Sequence, residues 1–338
     1  MHIEANIPLR NHTTFHIGGN ADAFVVVQSE AELVEAVTYA RETHQPITIL
    51  AGGSNMLISD EGIRGLVIKI AIPDIDYEVV PPYAALVRVG AGVMLDTLVK
   101  DTVARGYWGL ENLSAIPGTV GATPVQNVGA YGVEVASHIV AVKALHLCSG
   151  EFRIFTNADC NFGYRMSFFK TPEGADYVIT EVTFSLSKVP TPHVQYADLR
   201  RIFSDRDPSL QEIRDAVIHI RSQKFPDWNV IGTAGSFFKN PHIPLREYQA
   251  LREKYPDAPG YDDGRGLIKV PLGWIIDKVL GMKGAREGNV GTYEAQSLVM
   301  VNHGGAKAVE VDAFARTIEE RVKEKTGIHI EREVRMYL

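Results

Sequence analysis

The sequence predicts an α+β fold with more than one domain, and three observations support this prediction. The chain has 338 residues, and because domains usually hold about 150 residues, two or three are expected. Hydrophobic residues make up 45% of the chain and charged residues 22%, which is typical of a globular protein with a substantial core. An α/β unit over residues 29–70 is followed by a mixed pattern of helices and strands from about residue 73.

The α/β unit is predicted from a helix start signal and from the spacing of its apolar residues. Residues 29–32 fit a capping box, in which the Ser29 hydroxyl accepts a hydrogen bond from the Glu32 N–H. Apolar residues then recur at helical spacing, at Leu33, Val34, Val37 and Ala40. Strands are expected over residues 47–50, 56–58 and 66–70.

The later elements follow from the same kinds of pattern. Strands are expected at residues 86–89, 142–148, 152–155 and 177–186. Three helices are expected from their apolar faces. The first has the face Leu95, Leu98, Val99, Thr102 and Val103 and ends at Gly106. The second follows a capping box at residues 209–212 and has the face Ile213, Ala216, Val217 and Ile220, and the third has the face Val309, Phe314, Ile318 and Val322 and ends at Gly327. The rest of residues 222–328 is predicted to alternate short helices and turns, and residues 328–338 form a charged strand.

Charge and composition exclude several classes of protein. The 34 basic and 41 acidic residues leave a net charge of −7, whereas a general binder of nucleic acid or anionic membrane needs a basic surface. Two cysteines, Cys148 and Cys160, are too few for a disulfide framework, and the eleven histidines show no H-x-H or H-E-x-x-H grouping, so no metal site is predicted. Neither a secretory signal nor a membrane-spanning run is expected. We therefore expect a cytoplasmic protein.

Two glycine-rich segments are candidate cofactor-binding loops. Residues 51–55 follow a predicted strand, and their glycines let backbone N–H groups approach pyrophosphate oxygens. They are not a dinucleotide-binding fingerprint, because a strand follows where a helix should begin, and a tight turn is the alternative. Residues 116–132 hold four glycines, two prolines and no charged side chain. We expect this loop to be packed against a long cofactor, or to be a buried structural loop.

Three other segments contain side chains suited to catalysis. Arg165 lies between aromatic residues, which suits recognition of a carboxylate by a planar guanidinium, although a surface ion pair is a common role for such an arginine. Ser236 follows a glycine and precedes two phenylalanines, so its hydroxyl can be presented rigidly. It lacks the Gly-x-Ser-x-Gly pattern of a nucleophile elbow, and a turn residue is the alternative. Alternation places Glu331, Glu333 and Arg335 on one strand face, or on a solvated edge.

In their order along the chain, these segments resemble the UDP-N-acetylenolpyruvoylglucosamine reductases, the MurB family of flavoenzymes in peptidoglycan precursor synthesis. The resemblance covers almost the whole chain and is carried by residues 14–19 (TFHIGG), 51–55 (AGGSN), 109–113 (GLENL), 116–132, 162–165 (FGYR), 234–241 (AGSFFKNP) and 333–335 (EVR). Two positions depart from the family pattern. Thr13 replaces an asparagine, which we interpret as a turn variant, and Tyr293 replaces a common histidine before Gln296, which affects the local substrate contacts.

The resemblance implies a two-subdomain FAD-binding fold of the vanillyl-alcohol-oxidase type with a C-terminal α+β substrate domain. The expected FAD-binding subdomains are residues 1–72 and 73–205, the substrate-binding domain is 221–328, and 329–338 is a C-terminal strand that returns to the active site. FAD and NADPH are the implied cofactors, and the implied reaction reduces UDP-N-acetylglucosamine enolpyruvate to UDP-N-acetylmuramate. Such an oxidoreductase acts in cell wall biogenesis, cell shape and cell division, and a monomer is expected.

The resemblance also implies roles for individual residues. Ser236 matches the family's proton donor, and Arg165 and Glu333 match the pair that stabilises the enol intermediate. Glu333 fits that role only if it is protonated or polarises a neighbouring group. Substrate contacts are expected from Tyr164, Tyr196, Lys224, Asn240 and Gln296, with Tyr196 closing over the nucleotide and Lys224 near the diphosphate. FAD contacts are expected from Gly52, Gly53, Ser54, Asn55, Ile116, Pro117, Gly118, Gly121, Gln126, Asn127 and Gly129.

Two alternatives from other classes stay open at this point. A flavoprotein oxidase that uses oxygen would share the fold class, but such oxidases often tether the flavin through His or Cys, and neither occurs in residues 52–55 or 107–132. A non-catalytic protein that binds a nucleotide sugar would have no reason to combine the flavin loops with Ser236, Arg165 and Glu333.

Overall fold

The computed structural model describes residues 1–204 and 206–337, and its mixed helix and strand content confirms the α+β fold class. The strands are β1 (Glu4–Pro8), β2 (Asn20–Val27), β3 (Ile47–Leu50), β4 (Met56–Ile58), β5 (Ile63–Ile70), β6 (Ile75–Val80), β7 (Ala84–Gly90), β8 (Gly129–Ala130), β9 (Val133–Glu134), β10 (Ile139–His146), β11 (Phe152–Thr156), β12 (Tyr177–Ser187), β13 (Gly232–Ser236), β14 (His242–Pro244), β15 (Tyr261–Asp262), β16 (Leu267–Lys269), β17 (Arg286–Glu287), β18 (Val290–Thr292), β19 (Val299–Asn302) and β20 (Arg335–Tyr337). The helices are α1 (Glu30–Glu42), α2 (Leu95–Ala104), α3 (Ala197–Phe203), α4 (Leu210–Lys224), α5 (Leu245–Lys254), α6 (Leu272–Trp274) and α7 (Ala308–Thr326), and a π-helical turn, Ile275–Val279, continues α6.

The chain forms two compact units, each with its own hydrophobic core. The first unit comprises Met1–Ile7, Ala21–Gly53 and Ile63–Ser222, and the second comprises Pro8–Asn20, Ser54–Gly62 and the chain from Gln223 onward. Two short segments therefore belong with the C-terminal residues although they are far from them in sequence. None of the helices in the described residues combines the length and apolar character needed to cross a bilayer.

The first unit is built on two sheets. The smaller sheet has the order β1-β2-β5-β3, and both β2 and β3 run parallel to β5. The predicted α/β unit over residues 29–70 contributes α1, β3 and β5 to this sheet, and α1 connects β2 to β3. The expectation that strand 56–58 belongs to the same unit is wrong, because this strand, β4, pairs with β20 in the second unit. The larger sheet has the order β11-β10-β12-β7-β6 and is antiparallel throughout.

Helix faces and ends in the first unit follow the predicted signals closely. The predicted residues of the α2 face are all buried, as are Leu33, Val37 and Ala40 of α1 and Ile213, Val217 and Ile220 of α4. Val34 is 36% exposed and lies beside the buried face rather than in it. The Ser29 and Ser209 hydroxyls accept hydrogen bonds from the N–H groups of Glu32 (3.2 Å) and Glu212 (3.3 Å). Gly106, with a left-handed φ of 76°, follows the end of α2.

The second unit is built on three small sheets and on α7. The sheets have the orders β13-β19-β18-β17, β14-β16-β15 and β20-β4, so short strands occupy much of the region predicted as helices and turns. Helix α7 buries Val311, Phe314, Ile318 and Val322 and ends at Gly327. The prediction that Val309 belongs to this face is wrong, since Val309 is 65% exposed. At about 100° per residue, it lies on the opposite side of the helix from Val311.

The C-terminal segment is a strand over a shorter range than the predicted residues 328–338. Its strand β20 pairs in parallel with β4, and Arg332 forms a single antiparallel bridge with Phe238. The N–H groups of Glu333 and Val334 both donate to the Phe237 carbonyl (2.8 and 3.5 Å). Because two consecutive N–H groups share one acceptor, the chain bends at Val334 before β20 begins.

Candidate active site

The two predicted cofactor loops meet in the first unit. A Cβ atom added at Gly52 would lie 2.7 Å from the Gly118 Cα, so the two backbones touch and leave no room for a side chain. The Gly118 carbonyl accepts a hydrogen bond from the Leu95 N–H at the start of α2 (3.0 Å). The loop of residues 116–132 is buried or half-buried up to Gly132, which is exposed. The expectation of a packed loop is therefore confirmed.

Thr119, next to this glycine contact, has a buried hydroxyl that the sequence prediction missed. Thr119 is 5% exposed, and its Oγ1 atom has no hydrogen-bond partner among residues 1–204 and 206–337. A buried hydroxyl without a partner costs about 1–3 kcal/mol. Such an atom beside a glycine-lined backbone is what a site for a phosphate-bearing cofactor provides, so the residues present fit FAD.

Arg165 is held against the 116–132 loop in the first unit. Its Nη2 donates to the Gly129 carbonyl (2.8 Å) and its Nη1 to the Asn127 carbonyl (3.4 Å). Arg165 has a left-handed φ of 50° within a tight turn closed by backbone hydrogen bonds between Gly163 and Met166. A non-glycine residue in this conformation stores strain of the order of 1 kcal/mol. The structure thus brings Arg165 together with two predicted FAD contacts, Asn127 and Gly129.

Asn127 is itself fixed from three directions. Its Nδ2 donates to Glu134 (2.7 Å) and to the Gly163 carbonyl (3.1 Å), and its Oδ1 accepts from the Ala136 N–H (3.2 Å). Asn127 is 1% exposed and has a φ of 47°. The Asn127 side chain therefore holds the loop together, and the Asn127 backbone carbonyl accepts the hydrogen bond from Arg165.

Tyr196 lies on the surface of the first unit, against a tyrosine that the sequence analysis did not single out. The Tyr196 and Tyr131 rings form an edge-on pair with centroids 5.4 Å apart. Tyr196 is 46% exposed and Tyr131 is 8% exposed, and burial raises the pKa of Tyr131 to about 12. Asn112 donates both to the Tyr131 carbonyl and to the His193 carbonyl (2.8 Å each). This asparagine ties the segment that leads into Tyr196 to the glycine-rich loop.

A charged network supports the start of the glycine-rich loop. Arg214 on α4 makes a two-pronged ion pair with Asp96 on α2 (2.7 and 2.9 Å). Asp96 also accepts from the Ala115 N–H (2.6 Å), and Arg221 donates to the Ala115 carbonyl (3.1 Å). Arg221 also hydrogen-bonds Tyr131. Burial alone would raise the pKa of Asp96, but the hydrogen bonds from Arg214 and Ala115 outweigh it and lower that pKa.

Ser236 stands at the end of β13 in the second unit. The pairing of β13 with β19 is irregular between Thr233 and Ser236, and Gly235 has a left-handed φ of 74°. Such a bulge turns the next side chain away from the regular strand direction. Phe237 and Phe238 are fully buried behind it, at 0% and 1% exposure, so the half-buried hydroxyl is presented on a rigid support.

Glu333 lies on the chain segment next to Ser236, in the same unit. The Glu333 N–H donates to the carbonyl of Phe237 (2.8 Å), the residue after Ser236. Asn55 donates from Nδ2 to the Glu333 carbonyl (3.2 Å), and the Arg335 N–H donates to the Asn55 carbonyl (3.1 Å). The structure therefore brings together two predicted catalytic residues and one predicted FAD contact. Ser54 and Asn55 fall in the second unit, whereas Gly52 and Gly53 fall in the first.

The remaining predicted substrate residues have these places. Asn240 Oδ1 accepts a hydrogen bond from the Leu272 N–H (2.9 Å). Gln296 Oε1 packs against Gly273, where an added Cβ would lie 2.7 Å from it. Both side chains therefore contact α6. Tyr164 lies beside Arg165, with the guanidinium 5.4 Å from its ring centre. Lys224 is the half-buried last residue of α4.

The two departures from the family pattern differ in their surroundings. Thr13 is buried, and its hydroxyl donates to the Ile17 carbonyl (3.0 Å), which agrees with a turn variant. Tyr293 is half-buried, and its N–H donates to the Val299 carbonyl (2.8 Å).

Comparisons with known proteins agree with this geometry. Residues 21–156 match the family model of an FAD binding domain, and residues 226–337 match that of the UDP-N-acetylenolpyruvoylglucosamine reductase C-terminal domain. The chain is 39% identical to the UDP-N-acetylenolpyruvoylglucosamine reductase of Porphyromonas gingivalis, with 100% of both chains covered. It is 41% identical to that of Ralstonia nicotianae, with 98% of both covered. The crystal structure of the MurB enzyme from Thermus caldophilus is similar, with a TM-score of 0.70 and 26% identity over 100% of both chains.

Proposed function

The chain belongs to the family of UDP-N-acetylenolpyruvoylglucosamine reductases, and we propose that it works with NADPH as reductant and with Ser236, Arg165 and Glu333 as catalytic residues. It is an FAD-dependent oxidoreductase that joins an FAD-binding fold of the vanillyl-alcohol-oxidase type to the family's C-terminal domain. It reduces UDP-N-acetylglucosamine enolpyruvate to UDP-N-acetylmuramate. The observation that carries the proposed mechanism is the placement of Ser236 next to the Glu333 segment.

FAD is proposed to contact the first unit at the meeting point of its two glycine-rich loops. The close approach of Gly52 to Gly118 and the Thr119 hydroxyl support this placement, and backbone N–H groups there suit pyrophosphate oxygens. The bound flavin supplies the hydride chemistry, and the protein supplies binding, orientation and electrostatics. Gly53, Ser54, Asn55, Ile116, Pro117, Gly121, Gln126, Asn127 and Gly129 remain proposed contacts of the same cofactor.

Arg165 is proposed to bind the carboxylate of the enolpyruvyl group. When the methylene carbon of that group gains hydride, negative charge develops at the adjacent carbon and its carboxylate. A guanidinium already oriented by the Gly129 and Asn127 carbonyls stabilises that charge without reorganising. The strained backbone at Arg165 agrees with a residue whose position matters more than its own conformational energy.

Ser236 is proposed to give its hydroxyl proton to the carbon beside the carboxylate, which completes the lactyl ether, and to recover a proton from solvent. Glu333 is proposed to act in its protonated form, because an ionised carboxylate would repel the developing enolate. Its carboxyl can then donate a hydrogen bond to the negative oxygen. The fixed backbone around both residues supports roles that require precise positions.

The nucleotide part of the substrate is proposed to contact Tyr164, Tyr196, Lys224, Asn240 and Gln296. The exposed Tyr196 ring is available to cover a ligand, and the Lys224 ammonium suits a diphosphate. We further propose that the enzyme acts as a monomer in the cytoplasm and feeds peptidoglycan synthesis, and so cell shape and cell division.

The proposed mechanism is tested with Ser236→Ala, Ser236→Cys and a control, Ser59→Ala, which removes a serine hydroxyl elsewhere in the second unit. Stopped-flow absorbance follows reduction of the flavin by NADPH and then its oxidation by the enolpyruvyl substrate. In Ser236→Ala the first step should stay near the wild-type rate, and the second should slow by roughly 10²–10⁴-fold. The thiol of Ser236→Cys should restore part of this loss. If flavin reduction and flavin oxidation are both as fast in Ser236→Ala as in Ser59→Ala, Ser236 is not the proton donor.

A further inference from the structure

Arg332 is tied to one face of α7 by several ion pairs. Its Nε and Nη2 atoms donate to the two carboxylate oxygens of Glu319 (2.6 and 3.1 Å), and its Nη1 donates to Asp312. The Arg332, Glu319 and Asp312 side chains are 18%, 29% and 13% exposed. Arg316, on the same helix, also donates to Asp312 (2.7 Å). The Arg316 side chain is 67% exposed, so its pair with Asp312 is largely solvated. The mostly buried Arg332 guanidinium, in contrast, is held in one orientation by three hydrogen bonds to Glu319 and Asp312.

The backbone on either side of Glu333 is held by other parts of the second unit. The Lys239 N–H donates to the Glu331 carbonyl (2.9 Å), and the Glu333 N–H donates to the Phe237 carbonyl (2.8 Å). On the far side, Asn55 donates to the Glu333 carbonyl (3.2 Å). These bonds fix the peptide groups of Glu331 and Glu333, and the residue between them, Arg332, is the one whose side chain is anchored on α7.

Arg332 and Glu333 are consecutive residues of the extended stretch that precedes the bend at Val334, and the Arg332 side chain reaches α7. Because neighbouring residues of an extended chain project in opposite directions, Glu333 is turned away from α7. We propose that Arg332 is a positioning residue, whose ion pairs with Asp312 and Glu319 orient the 331–335 segment and with it the Glu333 carboxyl. This inference rests on the catalytic role proposed for Glu333.

The test breaks the cluster from both of its ends. Arg332→Met keeps most of the side-chain length and removes the donors. Glu319→Ala, outside the proposed site, removes two of the three acceptors on α7 and leaves Asp312. Arg316→Met is the matched control, because it removes the other cation on Asp312 and leaves the 331–335 segment alone. Each holoenzyme is followed by stopped flow through flavin reduction by NADPH and flavin oxidation by the enolpyruvyl substrate.

A small displacement of a catalytic group costs up to about 10²-fold. We therefore expect flavin oxidation to slow by about 10- to 100-fold in Arg332→Met and Glu319→Ala. Flavin reduction should stay near the wild-type rate in both, and both steps should stay near it in Arg316→Met. Arg332→Lys keeps the charge but not the fork, so its oxidation rate should be intermediate. Where Arg332→Met does not fold, Glu319→Ala and Arg332→Lys carry the same comparison.

Glu333→Ala separates this inference from the proposed function, because alanine keeps neither the carboxyl nor any other hydrogen-bond donor. In the Glu333→Ala background, Arg332→Met should slow flavin oxidation by less than about twofold further, because the group it positions is already absent. The inference is overturned if Glu333→Ala is slow while Arg332→Met and Glu319→Ala match Arg316→Met. It is also overturned if Arg332→Met slows oxidation by the same factor in both backgrounds. A wild-type oxidation rate in Glu333→Ala refutes the role of Glu333 itself.

Discussion

Replacing Gly52 by alanine should weaken FAD binding through a purely steric effect. The Gly52 backbone lies outside the left-handed region, so alanine adds no conformational strain there. Its Cβ, however, would lie 2.7 Å from the Gly118 Cα, against 3.4 Å or more in an ordinary contact. The two loops must therefore separate by about 0.7 Å. Overpacking of this kind costs roughly 1–3 kcal/mol, which corresponds to a 5- to 150-fold higher Kd if the cofactor site bears it.

The assay is a titration of apoprotein with FAD, followed by the quenching of flavin fluorescence. Gly264→Ala is the control, because Gly264 is left-handed (φ +72°) and an added Cβ would meet nothing within 4 Å. That variant should lose about 1 kcal/mol of stability from backbone strain and bind FAD with wild-type affinity. Thermal denaturation of both apoproteins checks that their stabilities are comparable. Unchanged FAD affinity in a folded Gly52→Ala protein would refute the placement of the cofactor at this contact.

Three further predictions concern the cofactor, the substrate loop and stability. The protein should purify yellow with non-covalent FAD, so acid precipitation should leave the flavin in the supernatant; flavin retained in the pellet would disprove non-covalent binding. Tyr196→Phe keeps the ring packed on Tyr131 but removes the hydroxyl. The KM for the sugar nucleotide should therefore rise roughly 2- to 10-fold, and the rate of flavin reduction by NADPH should not change. Equal effects on the KM and on flavin reduction would contradict the placement of Tyr196 over the nucleotide. Arg214→Met should lower the free energy of unfolding by about 1–3 kcal/mol in urea at neutral pH, since its partner Asp96 is partly solvated. The pKa of Asp96 is lowered in the folded state, so this stabilisation is present above the ordinary Asp pKa of about 3.9 and is lost as the pH falls through the folded value. The difference in unfolding free energy between wild type and Arg214→Met should therefore shrink on acidification. A difference that grows instead would refute the assignment.

Local signals predicted α1, α2, α4 and α7, because a helix start, a buried face and an end lie within a few residues of each other, whereas α3 was not predicted. The capping box at residues 209–212 and the end at Gly327 are examples. Val309 shows the limit of this reasoning, since an apolar residue two positions before Val311 lies on the other side of the helix. Many strands of the second unit are only two to five residues long, too short for a two-residue period to be recognised.

The candidate site depended on contacts far apart in sequence. Asn55 and Glu333 are separated by 278 positions, and no pattern within a window of residues brings them together. The family resemblance named each of them separately, as an FAD contact and as a catalytic residue, and their contact was not predicted. The Thr119 hydroxyl and the Asn112 amide were missed because their importance lies in burial and in partners, which residue type alone does not reveal. The signal that the sequence did carry is their place, since both are polar residues within or beside the charge-poor, glycine-rich segment 116–132.

The most direct test of the central claim is an anaerobic single turnover with the purified holoenzyme. NADPH alone should bleach the flavin absorbance, and UDP-N-acetylglucosamine enolpyruvate added afterwards should restore it, with one equivalent of UDP-N-acetylmuramate detected by mass spectrometry. A reduced flavin that is reoxidised by oxygen but not by the enolpyruvyl nucleotide would contradict the account and indicate an oxidase. A protein that binds the nucleotide sugar but shows no flavin absorbance, even after reconstitution with FAD, would contradict it as well.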